Sequence, residues 1–127
     1  MNKEAQYWIE TAQYDIDTAK AMLETKRYLY VGFVCHLTIE KALKAVIANS
    51  GVMPPKIHNL VKLAKLGELY SKMSEAQKDF LDILMPLNIE GRYHSYKANI
   101  AASLGAERCS RIIEETEELL CWIKQML

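Results

Sequence analysis

Apolar residues recur every three or four positions over long stretches of this chain, and this periodicity limits the fold more than any other feature. One apolar stripe runs from Lys3 to about Thr25, and the most regular one runs from about Gly105 to Met126. A repeat of this length matches the turn of an α-helix, so each stripe predicts a helix that buries one face. No alternating run of strand length occurs, and the sequence therefore predicts an all-α fold.

Between these two stripes the sequence predicts a central helix with a clear end. Residues Leu29 to Asn49 are apolar on most sides, which is typical of a helix surrounded by other helices. Gly51 follows as a stop signal, and Pro54 and Pro55 come next. Because proline lacks the amide donor that a helix needs, a connecting loop is expected there.

The middle of the chain predicts two shorter helices and an irregular segment. One helix is expected over about His58 to Leu69, and Ser74 with Gln77 forms a capping box that starts the next. Pro86 should kink or end that helix, and residues 87–104 have the least regular pattern. The economical architecture is an up-and-down antiparallel bundle of four to five helices.

Length and charge limit the domain count and the class of ligand. The chain has 127 residues, close to the commonest size of one domain, so residues 1–127 are expected to form a single domain. Its 16 Lys and Arg residues balance 16 Asp and Glu residues. This balance excludes a net positive field that could hold an extended nucleic-acid duplex, so any nucleic-acid contact is expected to be local.

The cysteines and the first residues bear on the compartment. Cys35, Cys109 and Cys121 are odd in number and widely spaced, so reduced core thiols are expected rather than disulfides or a zinc knuckle. Residues 1–10 do not resemble a signal peptide, and no run approaches the roughly 18 apolar residues of a membrane span. The sequence therefore indicates a cytoplasmic protein without membrane contact.

A polar stripe crosses the predicted central helix. His36, Glu40 and Lys44 stand at positions i, i+4 and i+8, which aligns their side chains. The stripe is either a solvated face with a weak Glu-to-Lys pair or a polar seam that meets a ligand or a second subunit. A metal site needs more converging ligands than His36 and Glu40 supply, so no metal is expected.

The densest chemical cluster lies in the irregular segment and consists of Arg92, Tyr93, His94 and Tyr96. These side chains combine a guanidinium that can bind phosphate, an imidazole and two rings that can stack on bases. In metal-independent RNA cleavage a His takes the 2′-hydroxyl proton while an Arg stabilises the charge that develops on the phosphate. The alternative is that Arg92 and Tyr96 anchor a loop and that His94 is merely exposed.

Other candidate residues have mainly structural interpretations. His58 stands where the third helix is expected to begin, and it either caps or packs beneath that helix or contributes to a site. Trp8 and Trp122 are expected in the core or at an interface. The phosphate-binding loop, the dinucleotide-binding turn and the nucleophile elbow are all absent from the sequence, and no cofactor is expected.

The predicted central helix also carries a recognisable signature. Tyr28, Tyr30 and Phe33 lead into Thr38-Ile39-Glu40-Lys41-Ala42-Leu43-Lys44-Ala45, a run that resembles the second-helix signature of HEPN domains. Further matches follow in the order that this family shows: Trp8 and Ala12 with Asp15, then His58-Asn59-Leu60, then Leu87-Asn88 leading to Arg92-Tyr93. Together the matches span about four fifths of the chain.

The resemblance implies an up-and-down helical bundle that forms a homodimer, with polar residues of both subunits in a shared cleft. Many relatives are encoded beside a small nucleotidyltransferase and act as the RNase toxin of a toxin-antitoxin pair, while others are grouped as nucleotide-binding domains. The resemblance therefore implies a nucleotidyltransferase-type partner and an RNA or nucleotide ligand. An active RNase toxin and a purely structural interaction subunit are the alternatives.

One spacing departs from the RNase branch of this family. In that branch a catalytic His follows the Arg after a spacer of several residues, whereas here only Tyr93 separates Arg92 from His94. The pair Arg92-Tyr93 is more similar to a branch with an Arg-Tyr-Pro element. The resemblance implies binding by Arg92 and Asn88, with catalysis by Arg92 and either His94 or His58 as the alternative. The predicted nucleotide- or RNA-binding residues are Asn88, Arg92, Tyr93, Tyr96, Glu40, Lys44 and His58.

Overall fold

The computed structural model describes residues 1–127, which form helices and connecting loops without any strand. The helices in chain order are α1 (Lys3–Glu24), α2 (Tyr28–Asn49), α3 (Leu60–Leu66), α4 (Glu75–Leu84), α5 (His94–Ser103) and α6 (Ala106–Gln125). Two short 3-10 turns, Tyr70–Lys72 and Met85–Leu87, stand on either side of α4. The all-α class is confirmed, but six α-helices replace the four to five that the sequence predicted.

The additional helix is α5, which lies within the segment 87–104 that the sequence predicted as an irregular connection. None of its residues is fully buried, and only its partly buried Ile100 packs against the core. Its apolar residues do not gather on one side of the helix. Hydrophobic periodicity therefore could not reveal α5, because that signal depends on a buried face.

The three long helices share one hydrophobic core of 29 buried residues. The helices α1 and α2 run antiparallel: Asn2, which caps α1, donates to the Ala48 carbonyl at 2.7 Å, and Lys41 contacts Asp15 at 2.6 Å in the middle. The helix α6 packs against both α1 and α2. No helix combines the length and the apolar character needed to cross a membrane.

Local hydrogen bonds explain where the two middle helices begin. The predicted capping box of α4 is present: Ser74 Oγ accepts from the Gln77 amide at 3.1 Å, and Gln77 Oε1 accepts from the Ser74 amide at 2.9 Å. The helix α3 begins later than predicted because Asn59 is its cap, and Asn59 Oδ1 accepts from the Lys62 amide at 3.0 Å. His58 consequently lies outside the helix, in the preceding loop.

A glycine in α2, Gly32, leaves space for the two ends of the segment 87–104 to pack against that helix. A Cβ atom added at Gly32 would lie 3.2 Å from the Leu104 Cδ1 atom and 3.3 Å from the Leu87 Cδ1 atom. Both leucines are buried and belong to the core. The absence of a side chain at Gly32 thus lets the Arg92-bearing segment be held against the central helix at both ends.

All three cysteines are free thiols. Cys35 and Cys109 are buried, as the sequence predicted, but Cys121 is exposed, so the prediction of a core thiol is wrong at that position. Burial raises the pKa of Cys35 to about 12, which keeps this thiol protonated at neutral pH.

Candidate functional site

The polar stripe of α2 is buried. His36, Glu40 and Lys44 are 1%, 4% and 6% exposed, respectively. The Lys44 ammonium lies 5.6 Å from the ring centroid of Trp8 in α1, and the loop before α3 covers Glu40 with His58. The interpretation of this stripe as a solvated face is therefore wrong, because two other parts of the chain pack over it.

Glu40 is the centre of this buried cluster. Its Oε2 atom accepts a hydrogen bond from Lys44 Nζ at 3.1 Å, and its Oε1 atom lies 3.0 Å from Nδ1 of His58. A buried carboxylate is costly unless charged or hydrogen-bonding partners compensate for its lost hydration. Because a carboxylate accepts hydrogen bonds, the Nδ1 atom of His58 is the donor in this contact.

His36 lies beneath this pair and stays uncharged at neutral pH. Its Nδ1 atom is buried without a hydrogen-bond partner and lies 3.7 Å from the Glu40 Oε1 atom. Burial lowers the pKa of His36 to about 4, and the attraction of the Glu40 carboxylate only partly opposes this shift. A protonated ring would lose its hydration at this position, so His36 is a neutral polar group in the floor of the site.

An open groove of about 460 Å³ adjoins this cluster. It is formed by α2, the loop before α3 and the segment between α4 and α5. Its lining residues are His36, His58, Asn59, Met85, Asn88, Glu90, Gly91 and Arg92. Only Met85 among them is hydrophobic. Most pockets for small organic ligands are predominantly apolar, so this groove favours a polar or charged ligand.

The two asparagines of the groove have their oxygens occupied within the chain. Asn59 Oδ1 accepts from the Lys62 amide at 3.0 Å, and Asn88 Oδ1 accepts from the Glu90 amide at 3.1 Å. Each side chain also has an NH2 group that donates no hydrogen bond within the chain, and this group can only donate. The asparagines therefore contribute donors to the groove, and donors are the groups that bind an anion.

The Arg92 guanidinium lies over an aromatic ring. Its guanidinium carbon lies 4.4 Å from the ring centroid of Tyr96, and the Tyr96 hydroxyl donates to the Pro86 carbonyl at 2.6 Å. Gly91, with φ of 71°, makes the left-handed turn that places Arg92 beside the groove. Tyr96 thus anchors the loop and holds the guanidinium, so the anchoring and binding interpretations of this pair are compatible.

The structure divides the sequence-predicted site residues into groups. His58, Asn88 and Arg92 line the groove, and Glu40 lies beneath it. Lys44 is buried beside Trp8, and Tyr96 stands behind Arg92, so both act on the site through a neighbour. Neither Tyr93, whose side chain is 88% exposed, nor the exposed His94 at the start of α5 lines the groove.

Three polar lining residues were not among the predicted set. His36, Asn59 and Glu90 each neighbour a predicted residue in sequence: His36 precedes Glu40 by one helical turn, Asn59 follows His58, and Glu90 lies between Asn88 and Arg92. Their closeness in sequence to predicted site residues was the signal that could have identified these three residues. No group of three His, Cys, Asp or Glu side chains is placed to hold a metal ion.

Comparison with known proteins identifies the family. The family model described as HEPN domain matches residues 5–126, nearly the whole chain. The chain belongs to the HEPN domain family. The resemblance that the sequence motifs indicated is thereby confirmed. No curated protein matches the sequence significantly.

Two solved structures share the architecture of this HEPN domain. The crystal structure of TT1696 from Thermus thermophilus is similar with a TM-score of 0.83 and 20% identity, over 99% of this chain and 100% of that chain. The crystal structure of ST0689, described as an archaeal HEPN homologue, has a TM-score of 0.69 and 18% identity, again over 99% and 100% of the two chains. At these identities the similarity establishes a shared fold.

Proposed function

We propose that this HEPN domain binds a phosphate group of an RNA or nucleotide in the groove, with Arg92 as the main charged contact. The observation that carries the proposal is that Arg92, Asn59 and Asn88, whose side chains all contain N–H donors, line one cavity. A guanidinium presents several fixed N–H donors that match the oxygens of a phosphate. His58 lines the same cavity.

The charge of the chain favours a small or single-stranded ligand. Acidic and basic residues balance at 16 each, so binding would depend on local contacts rather than on a positive face along a duplex. The groove contains one arginine and no lysine. A single phosphate with its attached nucleoside suits this arrangement better than a series of consecutive phosphates.

The proposal also includes a homodimer and a nucleotidyltransferase-type partner in a toxin-antitoxin type of system. This part rests on membership of the HEPN family and on what the sequence resemblance implies for relatives. The groove is open to the surface, which leaves room for a second chain or a partner. Three free thiols are in keeping with a reducing compartment such as the cytoplasm.

The phosphate proposal is tested by replacing Arg92 with alanine. We expect the affinity for nucleoside monophosphates and for short single-stranded RNA to fall by about tenfold to a hundredfold, because hydrogen bonds to charged groups contribute roughly 1.5–3 kcal/mol. Isothermal titration calorimetry measures the affinities. Arg111→Ala is the matched control, since Arg111 is 62% exposed on α6 and pairs only with Glu107. Equal affinities of the two variants, or no binding by the unaltered chain, would contradict the proposal.

RNA cleavage is the second candidate function, and the structure favours His58 over His94 for it. His58 is held by a buried carboxylate through Nδ1, which leaves Nε2 of the neutral ring as an acceptor, and His58 lines the same groove as Arg92. In the reaction, Nε2 would take the 2′-hydroxyl proton while that oxygen attacks the adjacent phosphorus. The bond to the 5′-oxygen breaks, this oxygen takes a proton from water, and a 2′,3′-cyclic phosphate remains, while His58 returns its proton to the solvent.

Cleavage is tested by incubating a defined single-stranded RNA with the purified chain in the presence of a chelator. The second candidate requires that His58→Ala abolish cleavage and that His94→Ala retain it. The reverse result would transfer the role to His94. If the unaltered chain leaves the RNA intact but binds it, the binding function stands alone. If it neither binds nor cleaves, a purely structural interaction subunit accounts for the protein.

A further inference from the structure

The groove contains a carboxylate that a simple phosphate site would not need. The Glu90 side chain is 60% exposed, and its Oε2 atom lies 3.8 Å from Nε2 of His58, beyond hydrogen-bond distance. Apart from this long ion-pair contact, the Glu90 oxygens have no partner in the chain, and near an arginine that binds phosphate such a carboxylate repels the ligand unless it contacts another part of that ligand. The position of Glu90 therefore indicates that the ligand carries donors as well as an anion.

The hydrogen-bond acceptors that line the groove indicate which donor groups a matching ligand would have. Glu90 is the one lining side chain with two adjacent acceptor oxygens, whereas Asn59 and Asn88 each have a single oxygen that already accepts a hydrogen bond within the chain. A matching ligand has a phosphate at one end and two neighbouring N–H groups at the other.

We propose that Glu90 makes the groove selective for guanine nucleotides. Guanine alone among the four RNA bases presents two adjacent donors, N1–H and the N2 amino group, on its Watson–Crick edge, and a carboxylate can accept both. Adenine and cytosine present one amino group there, and uracil presents one N–H. This inference rests on the proposed phosphate site.

The test compares nucleoside 5′-monophosphates by calorimetry on the full chain. We expect the guanine nucleotide to bind about tenfold more tightly than the adenine, cytosine and uracil nucleotides, the lower part of the range for a bidentate base contact. The inosine nucleotide, which keeps N1–H and lacks the amino group, should fall between them. In Glu90→Gln the side chain keeps its size but has one oxygen, so the preference for guanine should disappear.

The controls separate this inference from the phosphate proposal. Glu107→Gln changes an equally charged side chain that is 89% exposed on α6, and it should keep the preference for guanine. Thermal unfolding shows whether each variant is folded. Equal binding of all the nucleotides by the unaltered chain would overturn the guanine inference and leave the phosphate site intact. Retention of the preference in Glu90→Gln would overturn it as well, whereas failure of every nucleotide to bind would refute both.

Discussion

Replacing Glu40 with leucine should lower the free energy of unfolding by about 3 to 5 kcal/mol, because the change leaves a buried ammonium without its carboxylate. Lys44 is 6% exposed, and Glu40 is the one acidic side chain with which it forms an ion pair. His58 is less affected, since its side chain is 50% exposed and can be hydrated. Equilibrium unfolding in urea measures the loss.

Two controls show whether the unpaired charge is the cause. Glu117→Leu removes an exposed carboxylate that pairs with Lys20 at 2.8 Å, and exposed pairs contribute at most about 1 kcal/mol. The double variant Glu40→Leu with Lys44→Leu removes both buried charges and should recover most of the stability. A single variant as stable as the unaltered chain, or a double variant no better than the single one, would show that Glu40 does not compensate a buried charge.

The buried His36 should make the domain less stable as the pH falls from about 6.5 to about 4. Burial lowers the pKa of His36 to about 4 in the folded chain, whereas the unfolded chain has the ordinary value of 6.5. In this window the unfolded state binds more protons than the folded state, so acidification favours unfolding. The loss between pH 7 and pH 4.5 should be about 2 to 3 kcal/mol from this group.

The pH effect is assigned to His36 by comparing variants. His36→Gln retains a polar side chain but has no proton to gain, so its stability should change less with pH across the same window. His94→Gln is the matched control, because His94 is exposed and its replacement should leave the pH dependence unchanged. Urea unfolding of the three proteins at several pH values gives the curves. Parallel curves for His36→Gln and the unaltered chain would contradict the assignment.

The sequence predicted those parts of the fold that depend on repeated burial or on local hydrogen bonds. The limits of α1, α2 and α6 follow apolar stripes, and Ser74 fixes the start of α4 through its capping box. Such signals are contained within a few turns of the chain. The helix α5 escaped prediction because its side chains are mostly exposed, so it leaves no repeating apolar pattern.

The site was harder to predict because it depends on contacts between distant residues. The burial of Glu40 depends on His58, 18 positions away, and on how the loop before α3 lies over α2. The spacing of the α2 stripe could not distinguish a buried cluster from a solvated face. The pattern around Arg92 indicated a segment that borders the groove. It could not show that α5 places His94 outside the groove while the cap at Asn59 leaves His58 inside it.

The central claim is that a phosphate-bearing ligand occupies the groove between His58 and Arg92. Long-range ¹H–¹⁵N spectra of the histidine rings, recorded while guanosine 5′-monophosphate is added, test it most directly because the chain has three histidines in different surroundings. Saturable shifts of the His58 and His36 rings, with the His94 ring unchanged and the shifts lost in Arg92→Ala, are the predicted result. Shifts confined to His94, or no shifts at ligand concentrations in the millimolar range, would contradict the account.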